Sequence, residues 1–204
     1  MKIIAVGRNY AAHASELNNP IPTTPIIFMK PDTALLKDGS PFYHPSFSNN
    51  IHHEIEIVLK IAKEGKHIAE KFAHNYFDEI TLGIDFTARD IQQKCKENGW
   101  PWELAKSFDC SAPIGHFISK KKFSNLYEDL PFRLDVNQQI KQQGNTQNLI
   151  FSFEYLISFV SQYITLKKGD LLFTGTPEGV GKINIGDHLQ GYLANEKLLD
   201  LHIR

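Results

Sequence analysis

Cysteine is scarce: 2 of 204 residues, Cys95 and Cys110. They have neither zinc-finger spacing nor the density of a disulfide-stapled secreted domain, so reduced thiols in a cytosol-like compartment are expected. Neither sign of charge is in excess, with 22 basic side chains against 23 acidic ones. That removes the broad field that would favour nucleic acid or an anionic membrane, and any anion must be gripped by a local cluster. Long apolar runs are also missing. The opening MKIIAVGRNY has one short run before Gly7 and Arg8, too little for a signal-peptide core, and no later stretch approaches bilayer-spanning length. The expectation is a cytoplasmic protein with neither nucleic-acid nor membrane partners.

What is present is enough apolar material, 42% of the chain, for one sizeable domain. KIIAV and PIIFMKP read as strands, and the polar, proline-rich NNPIPTTP between them reads as a mobile lid. KFAHNYFDEI reads as a short helix leading into the strand ITLGIDF. TARDIQQKCKENG predicts a helix over 88–98, with Thr87 and Asp90 as a capping box and Gly99 as the stop. On it Arg89, Gln92, Gln93 and Lys96 share one face. FRLDVNQQIKQQGNT reads as a hairpin, FSFEYLISFVSQYI as a helix capped by Ser152, and the C-terminal section as strands and turns.

The stretch IHHEIEIVLK alternates as a strand does, with Ile51, Ile55, Ile57 and Leu59 on one side and His52, Glu54, Glu56 and Lys60 on the other. The plain reading is a half-buried strand with its acidic face in water. A second reading follows from repulsion between like charges one pleat apart, which a shared cation would relieve. Asp85, closing an apolar strand 29 residues after Glu56, could come alongside. Three carboxylates without cysteine suit a hard cation such as magnesium, manganese or calcium. His52 is a fourth-ligand candidate better suited to a supporting hydrogen bond, and His53 reads as structural. GTPEGVGK suggests a phosphate loop, but five residues separate Gly175 from Gly181 where that loop has four, and Ile183 replaces its Ser or Thr. The glycines therefore read as a tight turn.

VGRNYAAH, HHEIEI, IDFTARDIQ, PWELAKSFD and GDLLFTGTPEGVG occur together, in an order and spacing that resemble the fumarylacetoacetate hydrolase family. The likeness is greatest to its small single-domain branch of acylpyruvate hydrolases and oxaloacetate decarboxylases. It implies a mixed α/β, mainly β fold, a β-roll with short flanking helices. The whole of 1–204 would form one catalytic domain, with 13–25 as a lid and a homodimer as the usual assembly. It also implies a magnesium or manganese ion on Glu54, Glu56 and Asp85, with calcium able to substitute, and His13 and Glu16 as a catalytic dyad. Arg89, Gln92, Lys106 and Thr176 match positions that hold a small anionic 2-oxo acid, with Lys106 beside the developing enolate. Cleavage of 3-acylpyruvates and decarboxylation of oxaloacetate both pass through pyruvate enolate, so one site serves both. The alternatives are an isomerase or tautomerase of an oxo-dienoate or of oxaloacetate, and a non-catalytic dicarboxylate sensor.

Overall fold

The computed structural model describes every residue except 18, 19 and 38. Part of the expected lid over 13–25 therefore lies outside the described residues. The first half contains β1 (Ile3–Gly7), α1 (Ala11–Glu16), β2 (Ile26–Lys30), β3 (Leu35–Leu36), β4 (Ile51–His53), β5 (Ile55–Ile61), α2 (Glu70–Ala73), β6 (Phe77–Ile84), β7 (Thr87–Ala88) and α3 (Arg89–Asn98). The second contains α4 (Glu103–Lys106), β8 (Ala112–Pro113), β9 (Ile118–Ser119), β10 (Pro131–Val136), β11 (Gln139–Asn145), α5 (Phe153–Tyr163), β12 (Leu171–Phe173), β13 (Gly181–Lys182), β14 (His188–Leu193) and β15 (Glu196–His202). Strands dominate, and the helices are short, as the mixed, mainly β expectation requires.

One sheet has the order β2-β1-β12-β5-β6-β9, and a second has the order β11-β10-β14-β15. β1 and β12 run parallel, whereas β5 and β6 are antiparallel, with Ile55 opposite Ile84 and Glu56 opposite Gly83. The uninterrupted apolar run of β1 fits its place between two neighbours, buried on both faces. Ile55, Ile57, Leu82, Ile84, Leu134, Leu189 and Leu199 belong to one buried cluster. Gly191 brings the sheets close, since a Cβ there would stand 3.2 Å from Leu82 and 3.4 Å from Ile55. The core side of the alternating 51–60 stretch is thus as expected.

Its other side is not. Glu54 and Glu56 are buried rather than solvated, and the stretch is not one strand. It breaks at Glu54, where the chain leaves a small sheet of order β13-β4-β7 and enters the large one. At that corner the Asp85 N–H donates to the Glu54 carbonyl at 2.8 Å, which sets the two acids opposite each other.

The expected capping box at Thr87 is also corrected. Thr87 belongs to β7, and α3 begins after Ala88 without a side-chain cap. Asp90 instead accepts from Ser48 Oγ at 2.6 Å and from the Ile91 N–H at 2.9 Å. Tertiary pairing of β7 with β4 has outbid the local cap. Gly99 ends the helix as expected, with φ 66°. Ser152 caps α5 through the Tyr155 N–H at 3.1 Å. The β10–β11 hairpin forms, with Asn137 and Gln138 both at positive φ, the turn that matches strand twist.

Candidate metal and substrate site

Oxygens of Glu54, Glu56 and Asp85 converge at the corner between the sheets, all lying within 4.8 Å of one another, and all three residues are buried. Glu54 comes from the β4–β5 break, Glu56 from β5, and Asp85 from the residue after β6. Three buried carboxylates so close cannot all be charged without compensation.

Part of that compensation is protein. Lys106 Nζ lies 2.8 Å from Glu54 Oε2 and 2.6 Å from Asp85 Oδ2, and Arg89 Nη2 lies 2.5 Å from Glu54 Oε1. Burial disfavours charge on Glu54, but Lys106, Arg89 and His13 outweigh it and hold the carboxyl well below its usual range. Glu56 accepts from the Gly175 N–H at 2.6 Å on Oε2 and has no ion pair among the described residues. Burial, then Asp85 and Glu54 beside it, push Glu56 well above the carboxylate range. Lys106 stays charged. Burial works against its ammonium, yet Asp85 and Glu54 raise it overall, and its Nζ lies 5.1 Å over the Phe28 ring.

A hard divalent ion fits this set. The donors are all carboxylate oxygens, and Glu56 has no paired cation among the described residues. Asp85 Oδ1 is buried without an aligned hydrogen-bond donor, although Lys30 Nζ pairs with it at 2.7 Å. His52 does not join the group. Its Nε2 pairs with Asn50 Oδ1 at 2.9 Å, and burial, with Arg89 adding, pushes the ring down to about 4. His53 is buried and bonded to Gln142 Oε1 at 2.9 Å, as a structural histidine should be.

Above the carboxylates opens a narrow cleft with His13, Arg89, Gln92, Lys106 and Thr176 in its wall. His13 is buried on α1, and its Nδ1 lies 3.2 Å from Glu16 Oε2. Glu16 Oε1 in turn accepts from the Gly179 N–H at 3.0 Å, tying α1 to the 175–182 turn. Arg89 Nη1 donates to Gln92 Oε1 at 2.7 Å, while its buried Nε has no acceptor. The Thr176 hydroxyl is committed to the scaffold, donating to the Ile55 carbonyl at 2.8 Å and accepting from Gln142 Nε2 at 2.8 Å. Gln93 leaves the shared face, being exposed and bonded to Glu97.

Two members of the site escaped the sequence reading. Lys30 is fully buried at the end of β2, its Nζ bonded to Ser111 Oγ at 3.0 Å and to backbone carbonyls besides Asp85. A lysine closing an apolar strand was as telling as the aspartate that closes β6. The Gly175 N–H had no side-chain signature. Its φ is 101°, and a Cβ would stand 2.5 Å from Asn9 Cβ, so only glycine fits there. A second group of metal-type side chains, His188, Asp200 and His202, lies on β14 and β15 away from this cleft. There Asp200 is already held by His188 at 2.5 Å and Lys197 at 2.6 Å.

The fumarylacetoacetate (FAA) hydrolase C-terminal family model matches residues 2–203. Oxaloacetate tautomerase FAHD1, mitochondrial, of Mus musculus is 44% identical over 188 residues, 92% of this chain and 85% of that protein. Oxaloacetate decarboxylase, mitochondrial, of Dictyostelium discoideum is 44% identical over 186 residues, 91% of this chain and 85% of that one. Among solved structures, fumarylpyruvate hydrolase from Pseudomonas aeruginosa in complex with Mn2+ and pyruvate superimposes with a TM-score of 0.93 at 36% identity. The match covers 100% of this chain and 89% of that one. This chain belongs to the fumarylacetoacetate hydrolase family.

Proposed function

We propose that the protein is a divalent-metal-dependent hydrolase or lyase of 2-oxo acids, cleaving 3-acylpyruvates or decarboxylating oxaloacetate. The observation that carries this reading is the convergence of three buried carboxylates against three buried or half-buried cations, Lys30, Lys106 and Arg89. With all three carboxylates ionised those charges would cancel, so a divalent ion would leave the site with a positive excess suited to an anionic acid. Magnesium or manganese on Glu54, Glu56 and Asp85 would supply Lewis-acid stabilisation of charge growing on a keto oxygen. The two mitochondrial relatives and the pyruvate-bound neighbour act on this class of compound.

The chain's own residues do the rest. Arg89, with one free buried N–H, grips the substrate carboxylate, and Gln92 fixes the guanidinium plane. Lys106 keeps Glu54 and Asp85 in place and lends positive charge beside the enolate oxygen. For hydrolysis, Glu16 holds His13 through Nδ1, leaving Nε2 to take a proton from water as the hydroxyl adds to the acyl carbon. The carbon–carbon bond then breaks, and its electron pair forms pyruvate enolate, which is protonated on carbon. Decarboxylation requires no such base, only a leaving carboxylate turned out of the enolate plane. A lid over 13–25, a homodimer and a cytoplasmic location belong to the same proposal. Purified protein incubated with acetylpyruvate and with oxaloacetate, with and without EDTA, should release pyruvate only when metal is retained. No metal-dependent pyruvate from either removes the reading.

Tautomerisation is the second reading, favoured by the name of the mouse relative. It moves a proton through the same enolate. Proton NMR of oxaloacetate in deuterium oxide distinguishes the two, since exchange without loss of carbon dioxide supports the tautomerase.

A further inference from the structure

Lys106 and Arg89 in the cleft wall, and Lys30 behind it, all have carboxylate partners. Two others in the same wall do not. Arg8, half-buried, follows β1, and Lys96 reaches the cleft from the exposed flank of α3, two turns beyond Arg89. Neither side chain forms a hydrogen bond or ion pair among the described residues.

Both are nevertheless positioned. Arg8 has φ 64°, a left-handed backbone that side chains with a Cβ disfavour. Its neighbour Asn9 imposes that turn. The fully buried Asn9 side chain donates to the Phe151 carbonyl at 3.0 Å and the Thr174 carbonyl at 2.8 Å, and accepts from the Phe151 N–H at 2.7 Å. Lys96 is placed by helical spacing on the cleft side of α3. Burial, then Arg8 and Arg89, lower its ammonium from its ordinary value. Two neighbouring cations in one cleft wall, neither in an ion pair among the described residues, suit an anion that the protein does not provide.

We propose that Arg8 and Lys96 form a second anion subsite at the cleft mouth, which takes the distal carboxylate of a 2-oxo dicarboxylic acid. The site then selects dianionic 2-oxo acids over monoanionic ones of equal length. This rests on the 2-oxo acid reading above, with the near carboxylate at Arg89. It makes Arg8 and Lys96 specificity-determining residues rather than members of the ligand set around the carboxylates.

The test is equilibrium binding of two non-reacting probes to the manganese-loaded protein by titration calorimetry. The probes are 2-oxoglutarate and 2-oxopentanoate, five-carbon acids that differ only at the distal carboxylate. The wild type should favour 2-oxoglutarate by about tenfold or more, the size of a charge-assisted hydrogen bond. R8Q and K96Q should each reduce that ratio about tenfold while leaving 2-oxopentanoate affinity within about twofold. K96Q changes an exposed helix residue and keeps the test open if R8Q folds poorly. No wild-type preference, or equal weakening of both probes in K96Q, overturns the subsite. Failure of the parent reading is separate, appearing as no pyruvate release by wild type while the probe ratio persists.

Discussion

Lys30 has no exposed side-chain surface, and a lysine is stable there only because Asp85 and the carbonyls around it repay its desolvation. Removing Lys30 leaves the buried Asp85 with Lys106 as its remaining cation. Lys30→Met should therefore lower the unfolding free energy of the metal-free protein by about 1–3 kcal/mol, read from a urea titration. A loss below about 1 kcal/mol would show that Asp85 does not depend on it. His13 and Asp85 separate chemistry from assembly. His13→Ala removes the base but no ligand, so acylpyruvate hydrolysis should fall about a hundredfold or more while manganese affinity holds. Asp85→Ala should weaken both. Loss of metal affinity in the histidine variant would show that this division of roles is wrong. The acids were legible in the sequence because a charge on an apolar strand needs a reason. Lys30 invited the same question, but a long side chain ahead of a proline also reads as one that snorkels to water. The Gly175 N–H was beyond reach, since a backbone donor shows in no residue type.

At the scale of elements, the parallel pair β1 and β12 is held at its start by Asp170. Oδ1 accepts from the Lys2 N–H at 2.8 Å, Oδ2 from the Lys167 N–H at 2.8 Å, and Lys2 Nζ adds an ion pair at 2.6 Å. Burial alone would raise the Asp170 carboxyl, but these donors outweigh it and lower the carboxyl from its ordinary value. A group depressed in the folded state stabilises above its unfolded pKa, near 4 for aspartate, and loses that contribution as pH falls through the folded value. Stability of the wild type should thus fall on acidification below about pH 4, and Asp170→Asn, already without the charge, should show a shallower acid limb in thermal melts. An identical limb would sink this account. Elements whose own residues decide them were readable, as with the β10–β11 hairpin and the Ser152 cap. Elements decided by partners were not. Thr87 has the chemistry of a cap, yet pairing with His52 draws it into β7, and the 51–60 stretch breaks because its two ends belong to different sheets.

At the scale of the whole molecule, an apolar surface beside β2 bears on the proposed homodimer. β2 is the edge of the large sheet, and beside it Met29, Phe47 and Leu104, 38%, 53% and 76% exposed, line a groove with Ile91 and Phe108. A contiguous apolar patch next to a free strand edge is what a protein covers, and a second copy of this chain is the occupant that the proposed homodimer provides. The groove also connects to the chemistry. Lys30 contributes to its floor, while the ammonium of the same side chain holds Asp85 from the other side. The pair is dry even with the groove open, since neither side chain has appreciable exposed surface. Leu104→Glu places a charge in the centre of the patch without touching the carboxylates. It should shift the sedimentation mass from twice the chain mass to the chain mass. A wild type that sediments as a single chain at micromolar concentration would overturn the assembly.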